Sequence, residues 1–96
     1  MTLSIIIPVY NEEKTLEQAL EQVYDLDLRH EKEVIVVNDG STDYSLNILK
    51  KIQNKFDFKI ICHQKNKGKG AALQTGFKYV TGEMVIIHDA DLEYDP

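Results

Sequence analysis

Four stretches of the chain are apolar on both alternating positions, and three stretches between them are apolar on one face only. Leu3-Ser4-Ile5-Ile6-Ile7-Pro8-Val9 is β-branched and has no polar face, the pattern of a strand covered on both sides in a parallel sheet. Residues 11–24 switch to helical spacing, with Leu16, Ala19, Leu20 and Val23 on one face. Residues 33–38 read as a second buried strand. Ser41 or Thr42 is placed to cap a helix whose inner face is Leu46, Leu49, Ile52 and Phe56. Residues 58–63 give a third strand. A Gly- and Lys-rich loop then leads into a helix with Leu73, Gly76, Phe77 and Val80 inward, ended by Thr81-Gly82. Met84-Val85-Ile86-Ile87 reads as a fourth buried strand.

The order β-α-β-α-β-α-β predicts an α/β fold, a doubly wound parallel sheet. Residues 1–96 form one unit without linker or low-complexity segment. The fourth strand is an open edge unless something beyond it covers it. Composition narrows the function classes. Net charge is −5 and the basic residues form no tract, which argues against nucleic-acid binding. No apolar run is long enough to cross a membrane, and no signal-peptide core follows Met1. The one cysteine, Cys62, excludes an internal disulfide and suits a reducing cytoplasm; within Lys59-Ile60-Ile61-Cys62 it reads as a small buried hydrophobe.

In a parallel sheet all C-terminal strand ends lie on one edge, and ligands bind outside it. That edge collects Pro8, Tyr10, Asn11 and Glu12 from the first strand and Asp39-Gly40-Ser41-Thr42-Asp43 from the second. Residues 64–70 follow the third strand, and Asp89, Asp91 and Glu93 the fourth. Asp39-Gly40-Ser41-Thr42-Asp43 reads as a turn plus helix cap and, at the strand tip, Asp39 reads as an acceptor for nucleobase N–H or ribose hydroxyls; both can hold, because the cap needs Ser41 or Thr42 and not Asp39. Glu12 and Glu13 suit a helix N-terminus, while Tyr10 offers a ring to stack on a base. Lys67-Gly68-Lys69-Gly70 resembles a phosphate cradle but lacks P-loop spacing, and its cations could equally offset the acidic rim. Asp89-Ala90-Asp91 concentrates carboxylates that need a compensating cation, and oxygen-only ligation suits Mg or Mn. His88 beside it reads as a packing or hydrogen-bonding residue. His30 and His63 form no ligand set, and no zinc spacing or nucleophile triad is present.

Four segments in register resemble family 2 glycosyltransferases of the GT-A fold, over essentially the whole chain. They are Ser4-Ile5-Ile6-Ile7-Pro8-Val9-Tyr10-Asn11-Glu12-Glu13, Val36-Val37-Asn38-Asp39-Gly40-Ser41-Thr42-Asp43, Asn66-Lys67-Gly68-Lys69-Gly70-Ala71-Ala72-Leu73-Gln74-Thr75-Gly76 and Asp89-Ala90-Asp91-Leu92-Glu93-Tyr94-Asp95-Pro96. The dolichyl- and polyprenyl-phosphate mannose and glucose synthases are the nearest subgroup in pattern. The resemblance implies a metal-dependent, inverting transfer of sugar from a UDP- or GDP-linked donor, with a polyprenyl phosphate at a membrane surface as one acceptor. It implies that Pro8, Tyr10, Glu12, Val37 and Asp39 hold base and ribose, and that Asp89 and Ala90 line the diphosphate end. Asp89 and Asp91 would hold Mg or Mn, with Glu93, where the subgroup often has Gln, as a third ligand. Lys69 is a secondary phosphate-side candidate.

In that family the acceptor side and any catalytic base lie downstream of the Asp-x-Asp, so no catalytic residue is assigned. The expectation is a donor-binding half that transfers poorly or not at all alone. The alternative is a non-catalytic fragment or interaction module that forms a homodimer through its open sheet edge. A phosphoacceptor receiver domain would want an acidic pair after the first strand, where this chain has Tyr10-Asn11-Glu12.

Overall fold

The computed structural model describes residues 2–25 and 31–90. Its elements are β1 (Thr2–Val9), α1 (Leu16–Asp25), β2 (Glu31–Asp39), α2 (Ser45–Ile52), β3 (Lys59–His63), α3 (Lys69–Phe77) and β4 (Met84–Ile87). The four strands form one sheet in the order β3-β2-β1-β4, and every pair is parallel. The chain therefore winds outward from β1 through β2 to β3, then returns across the sheet to place β4 on the other side of β1. Right-handed crossovers require that reversal to move the covering helix to the opposite face.

The core shows this two-faced covering. Leu3, Ile5, Ile7 and Val9 of β1 and Val34 and Val36 of β2 pack with Leu16, Ala19, Leu20 and Val23 of α1 and Leu49 and Ile52 of α2. The alternate residues Ile6, Ile35 and Val37 face the other way and pack with Ala72, Leu73 and Val80. The period of two thus feeds two cores, which is why these strands carry no polar face. Helix α3 sits close to the sheet through its small residues. A Cβ at Gly76 would come within 2.7 Å of Ile6 Cγ2.

Pro8 lies in a strand with neighbours on both sides, an unusual place for a residue without an N–H. Strand β4 pairs with β1 only over Leu3–Ile6, and the last bond on that side runs from His88 N to Ile6 O at 3.0 Å. By the two-residue alternation Pro8 faces the same side, beyond the point where β4 has ended. No ladder bond is lost there.

At the opposite end, the turn from α3 to β4 is tied to the sheet by Glu33. Its carboxylate accepts from Ser4 Oγ (2.8 Å), Thr81 N (2.9 Å) and Thr81 Oγ1 (2.6 Å), and Ser4 Oγ accepts from Gly82 N at 3.0 Å. This network sets where β4 enters beside β1.

Four expectations from the sequence are corrected. Met84, Val85, Ile86 and Ile87 are all exposed, because β4 is the sheet edge and neither helix layer of the described residues reaches it. Cys62 is exposed, because β3 is the other edge. Phe77 is exposed, since the close approach at Ala72 and Gly76 turns it away from the sheet. Helix α2 begins at Ser45, beyond the reach of a Ser41 or Thr42 cap; Asp43 Oδ1 accepts Ser45 N at 2.8 Å instead. His30 lies outside the described residues.

Candidate functional site

The loops at the C-terminal ends of β1 and β2 are fastened to each other before any ligand is considered. Asn11 adopts a left-handed conformation, φ 52°, which Asn tolerates better than most residues. Its Oδ1 accepts from Thr42 N at 2.7 Å and Asp43 N at 3.3 Å, and its own N–H donates to Ser41 Oγ at 3.1 Å. Glu12 N donates to Ser45 Oγ at 2.9 Å and Glu13 N to Asp43 Oδ2 at 3.3 Å. Ser41 and Asp43 therefore serve as loop clamps. Burial alone would raise the Asp43 carboxyl, but the bonds from Ser45 and from the Glu13 amide hold it below its ordinary value.

A cleft of about 250 Å³ opens on this edge, where β1 adjoins β4 at the reversal of strand order. Topological switch points of this kind are the usual ligand crevices of open parallel sheets. Pro8, Tyr10, Glu12, Asp39, Asp89 and Ala90 all line it, with Val9, Asn66, Gly68, Lys69 and Ala72. With Lys69, seven of the residues given a role from sequence thus meet in one cleft. Val37 does not; it is fully buried in the core beneath α3. Its register partner is Pro8, so it supports the cleft from below. Asp91 and Glu93 lie outside the described residues.

Asp39 is buried at the cleft, 3% exposed. Its Oδ1 accepts from His63 Nδ1 at 2.7 Å and Lys67 N at 2.9 Å, and its Oδ2 accepts from Gly68 N at 2.9 Å. Burial pushes the carboxyl up, but the hydrogen bonds from His63, Lys67 N and Gly68 N outweigh it and hold the group below its ordinary value. The carboxylate thereby fixes the β3–α3 loop against the tip of β2.

Tyr10 presents an exposed ring at the cleft wall. Lys69, the first residue of α3, places its Nζ 2.7 Å from Asp89 Oδ1, and both side chains are at least half exposed. The cationic loop does offset the acidic rim. Thr15 Oγ1 donates to Ala90 O at 2.6 Å, which ties the exit of β4 to the start of α1. His88 is half-buried, and its Nε2 has no hydrogen-bond partner among the described residues.

Among the described residues no group of three or more His, Cys, Asp or Glu side chains could hold a metal ion. Asp89 offers an exposed carboxylate oxygen, the donor type a hard divalent ion selects, and such an ion would take the place Lys69 Nζ holds on it.

The family model described as "Glycosyl transferase family 2" matches residues 4–96. The chain belongs to that family. The chain is 40% identical over 98 residues to the undecaprenyl-phosphate 4-deoxy-4-formamido-L-arabinose transferase of Pseudomonas fluorescens, covering 98% of this chain and 29% of that protein. It superposes on the mannosyltransferase PcManGT from Pyrobaculum calidifontis in complex with GDP-Man and Mn2+ with a TM-score of 0.87 and 31% identity, covering 98% of this chain and 28% of that one. It matches S. aureus TarS 1-349 in complex with UDP-GlcNAc with a TM-score of 0.85 and 36% identity, covering 95% of this chain and 27% of that one. The chain thus spans under a third of the length of these relatives. Its sheet and helices share the GT-A fold of these glycosyltransferases.

One residue behind the cleft escapes a reading of sequence alone. His63 contacts Asp39 as its register partner across β2 and β3. Counting ligand positions only after the strand's last residue omits it, and counting the last residue itself includes it. Asn66, on the rim with residues 64–70 as the sequence indicates, lines the cleft, and its Oδ1 accepts Gly68 N at 2.9 Å.

Proposed function

We propose that these 96 residues are the donor-binding part of an inverting glycosyltransferase. The observation that carries this reading is the convergence of Tyr10, Glu12, Asp39, Lys69 and Asp89 on one cleft at the strand-order reversal. The relatives' names and the nucleotide sugars of the solved neighbours support a nucleotide diphosphate sugar as donor.

The base stacks on the exposed Tyr10 ring, while Pro8 and Ala90 give the cleft apolar wall. Asp39 accepts a hydrogen bond from base or ribose, and Glu12 adds a second carboxylate on the same wall. The diphosphate lies toward Asp89, where Lys69 supplies positive charge. Asp89, with Asp91 and Glu93, would hold Mg or Mn, which offsets charge building on the leaving diphosphate. An acceptor oxygen attacks the anomeric carbon opposite the leaving group; the new C–O bond forms as the sugar–diphosphate bond breaks, with inversion. Similarity to the undecaprenyl-phosphate transferase supports a polyprenyl phosphate acceptor at the cytoplasmic membrane surface. Such an acceptor is already anionic and needs no general base, whereas a hydroxyl acceptor would. No helix among the described residues is long and apolar enough to cross a membrane.

Calorimetry with UDP- and GDP-sugars, with and without Mn, tests the reading. Donor binding is expected to strengthen with Mn and to lose that gain in Asp89→Ala. Binding that is indifferent both to Mn and to Asp89→Ala would remove the metal assignment. Efficient sugar transfer by the purified 96 residues would show that they hold more than the donor half. The exposed apolar edge at Met84–Ile87 favours one other reading, an interaction module that dimerises through β4. A stable dimer by light scattering with no nucleotide affinity would favour it.

A further inference from the structure

Among the described residues the Asp39 carboxylate has one acceptor position left for a ligand. A carboxylate offers about four lone-pair positions, two on each oxygen. Oδ1 uses both of its own, on His63 Nδ1 and Lys67 N. Oδ2 uses one, on Gly68 N, and that N–H is shared with Asn66 Oδ1 at the same 2.9 Å. The free position is therefore on Oδ2, the more weakly held oxygen.

His63 is itself held. Its Nε2 lies 2.8 Å from Thr75 Oγ1 on α3, while Nδ1 lies on Asp39. An ionised carboxylate only accepts, so Nδ1 carries a hydrogen, and in the neutral ring Nε2 accepts from the Thr75 hydroxyl. The two side chains, His63 and Asp39, are 9% and 4% exposed. A ligand entering the cleft cannot replace the imidazole without leaving a buried nitrogen and the Thr75 hydroxyl unpaired.

This bears on which base the cleft takes. Guanine presents two adjacent donors on its pairing edge, N1–H and the 2-amino group, which a carboxylate with both oxygens open receives together. Uracil presents one donor, N3–H, between two carbonyl acceptors. We infer that His63, fixed by Thr75, is a specificity-determining positioning residue: by saturating one oxygen of Asp39 it inclines the donor site toward a uracil nucleotide over a guanine nucleotide. The inference rests on the reading that Asp39 meets the base. With Oδ1 saturated, guanine must leave its second donor to another group or to water.

The test is calorimetric titration of the chain with UDP and with GDP in the same Mn-containing buffer. The ratio of the two affinities cancels what diphosphate and metal contribute. UDP is expected to bind about tenfold more tightly, the effect of one poorly paired donor. Equal affinities, or tighter GDP, overturn the inference while leaving the donor-site reading intact. Binding of neither nucleotide removes that reading and the inference with it. His63→Phe keeps a ring but removes the donor, and is expected to bring the ratio close to unity. His63→Asn keeps a donor for Asp39 and is expected to retain the ratio. Parallel weakening of both nucleotides in His63→Phe, ratio unchanged, would show a merely structural role and overturn the assignment. If circular dichroism shows that His63→Phe is unfolded, the wild-type ratio and its retention in His63→Asn still decide.

Discussion

Gly40→Ala is expected to destabilise the fold at the sheet edge that carries the cleft. Gly40 follows Asp39 with φ +67°, in the left-handed region where a Cβ costs about 1 kcal/mol. The larger effect is steric. A Cβ there would stand 2.4 Å from Asn66 N and from Lys65 C, and 2.9 Å from Lys65 Cα. All three are backbone atoms, so no side-chain rotation relieves the contact. The loop must move outward, and it is the loop whose next two amides, Lys67 N and Gly68 N, bond Asp39 at 2.9 Å each. Losing two bonds to a charged acceptor costs about 1.5 kcal/mol apiece at the lower end. With the backbone strain the total is about 4 kcal/mol. A chain of this length has stability on the order of 5–14 kcal/mol, so the variant stays marginally folded or unfolds. In urea, with a slope near ~2 kcal/mol/M, the midpoint should fall by about 2 M. Gly70→Ala is the matched control. Gly70 has nothing within 4 Å of an added Cβ and lies in α3, so alanine should stabilise by up to ~1 kcal/mol. A Gly40→Ala loss below about 1 kcal/mol would refute the claim that the Asp39-clamped loop is rigid.

Three further outcomes follow from the same geometry. Glu33, Asp39 and Asp43 all titrate below their ordinary values in the fold, so they bind fewer protons than in the unfolded chain. Their stabilisation is present above the ordinary carboxylate range near pH ~4 and is lost as pH falls below it toward the depressed values. Urea midpoints measured from neutral pH downward should drop through that range, less steeply in Asp43→Asn; a flat profile would contradict it. Thr15→Val removes the 2.6 Å bond to Ala90 O and should cost about 1 kcal/mol in the same denaturation assay, with increased amide exchange around Ala90. Lys69→Ala breaks an exposed pair, so stability should change by less than ~0.5 kcal/mol. Its UDP affinity should nevertheless fall several-fold by calorimetry, and unchanged affinity would remove Lys69 from the diphosphate end.

The order of elements and the cleft lining were legible for one physical reason. Strands covered on both faces have continuous apolar runs, and parallel strands send their following loops to one edge. Leu3 to Val9 and Val34 to Val37 therefore identified β1 and β2, and residues just past them identified Tyr10, Glu12 and Asp39. The same logic failed at the sheet margins. Ile60-Ile61-Cys62 and Met84-Val85-Ile86-Ile87 are as apolar as the central strands, yet Cys62 and all of β4 are exposed. An apolar run records that a strand is suited to covering; it carries no information on which neighbours arrive to cover it. Phe77 fails for a related reason, since the two small residues Ala72 and Gly76 decide which side of α3 meets the sheet.

By itself the sequence determined a doubly wound parallel sheet, its acidic rim and its family, because period, turn chemistry and motif spacing are local properties of the chain. Only the tertiary structure decided what those residues do to one another. It placed Val37 in the core and left Asp39 on the cleft, although they are two residues apart. It joined His63 to Asp39 across 24 positions of sequence and Lys69 to Asp89 across the cleft. Hydrogen-bond saturation and ion pairing depend on distances of about 3 Å between segments remote in sequence, and those distances exist only once the sheet has set its register.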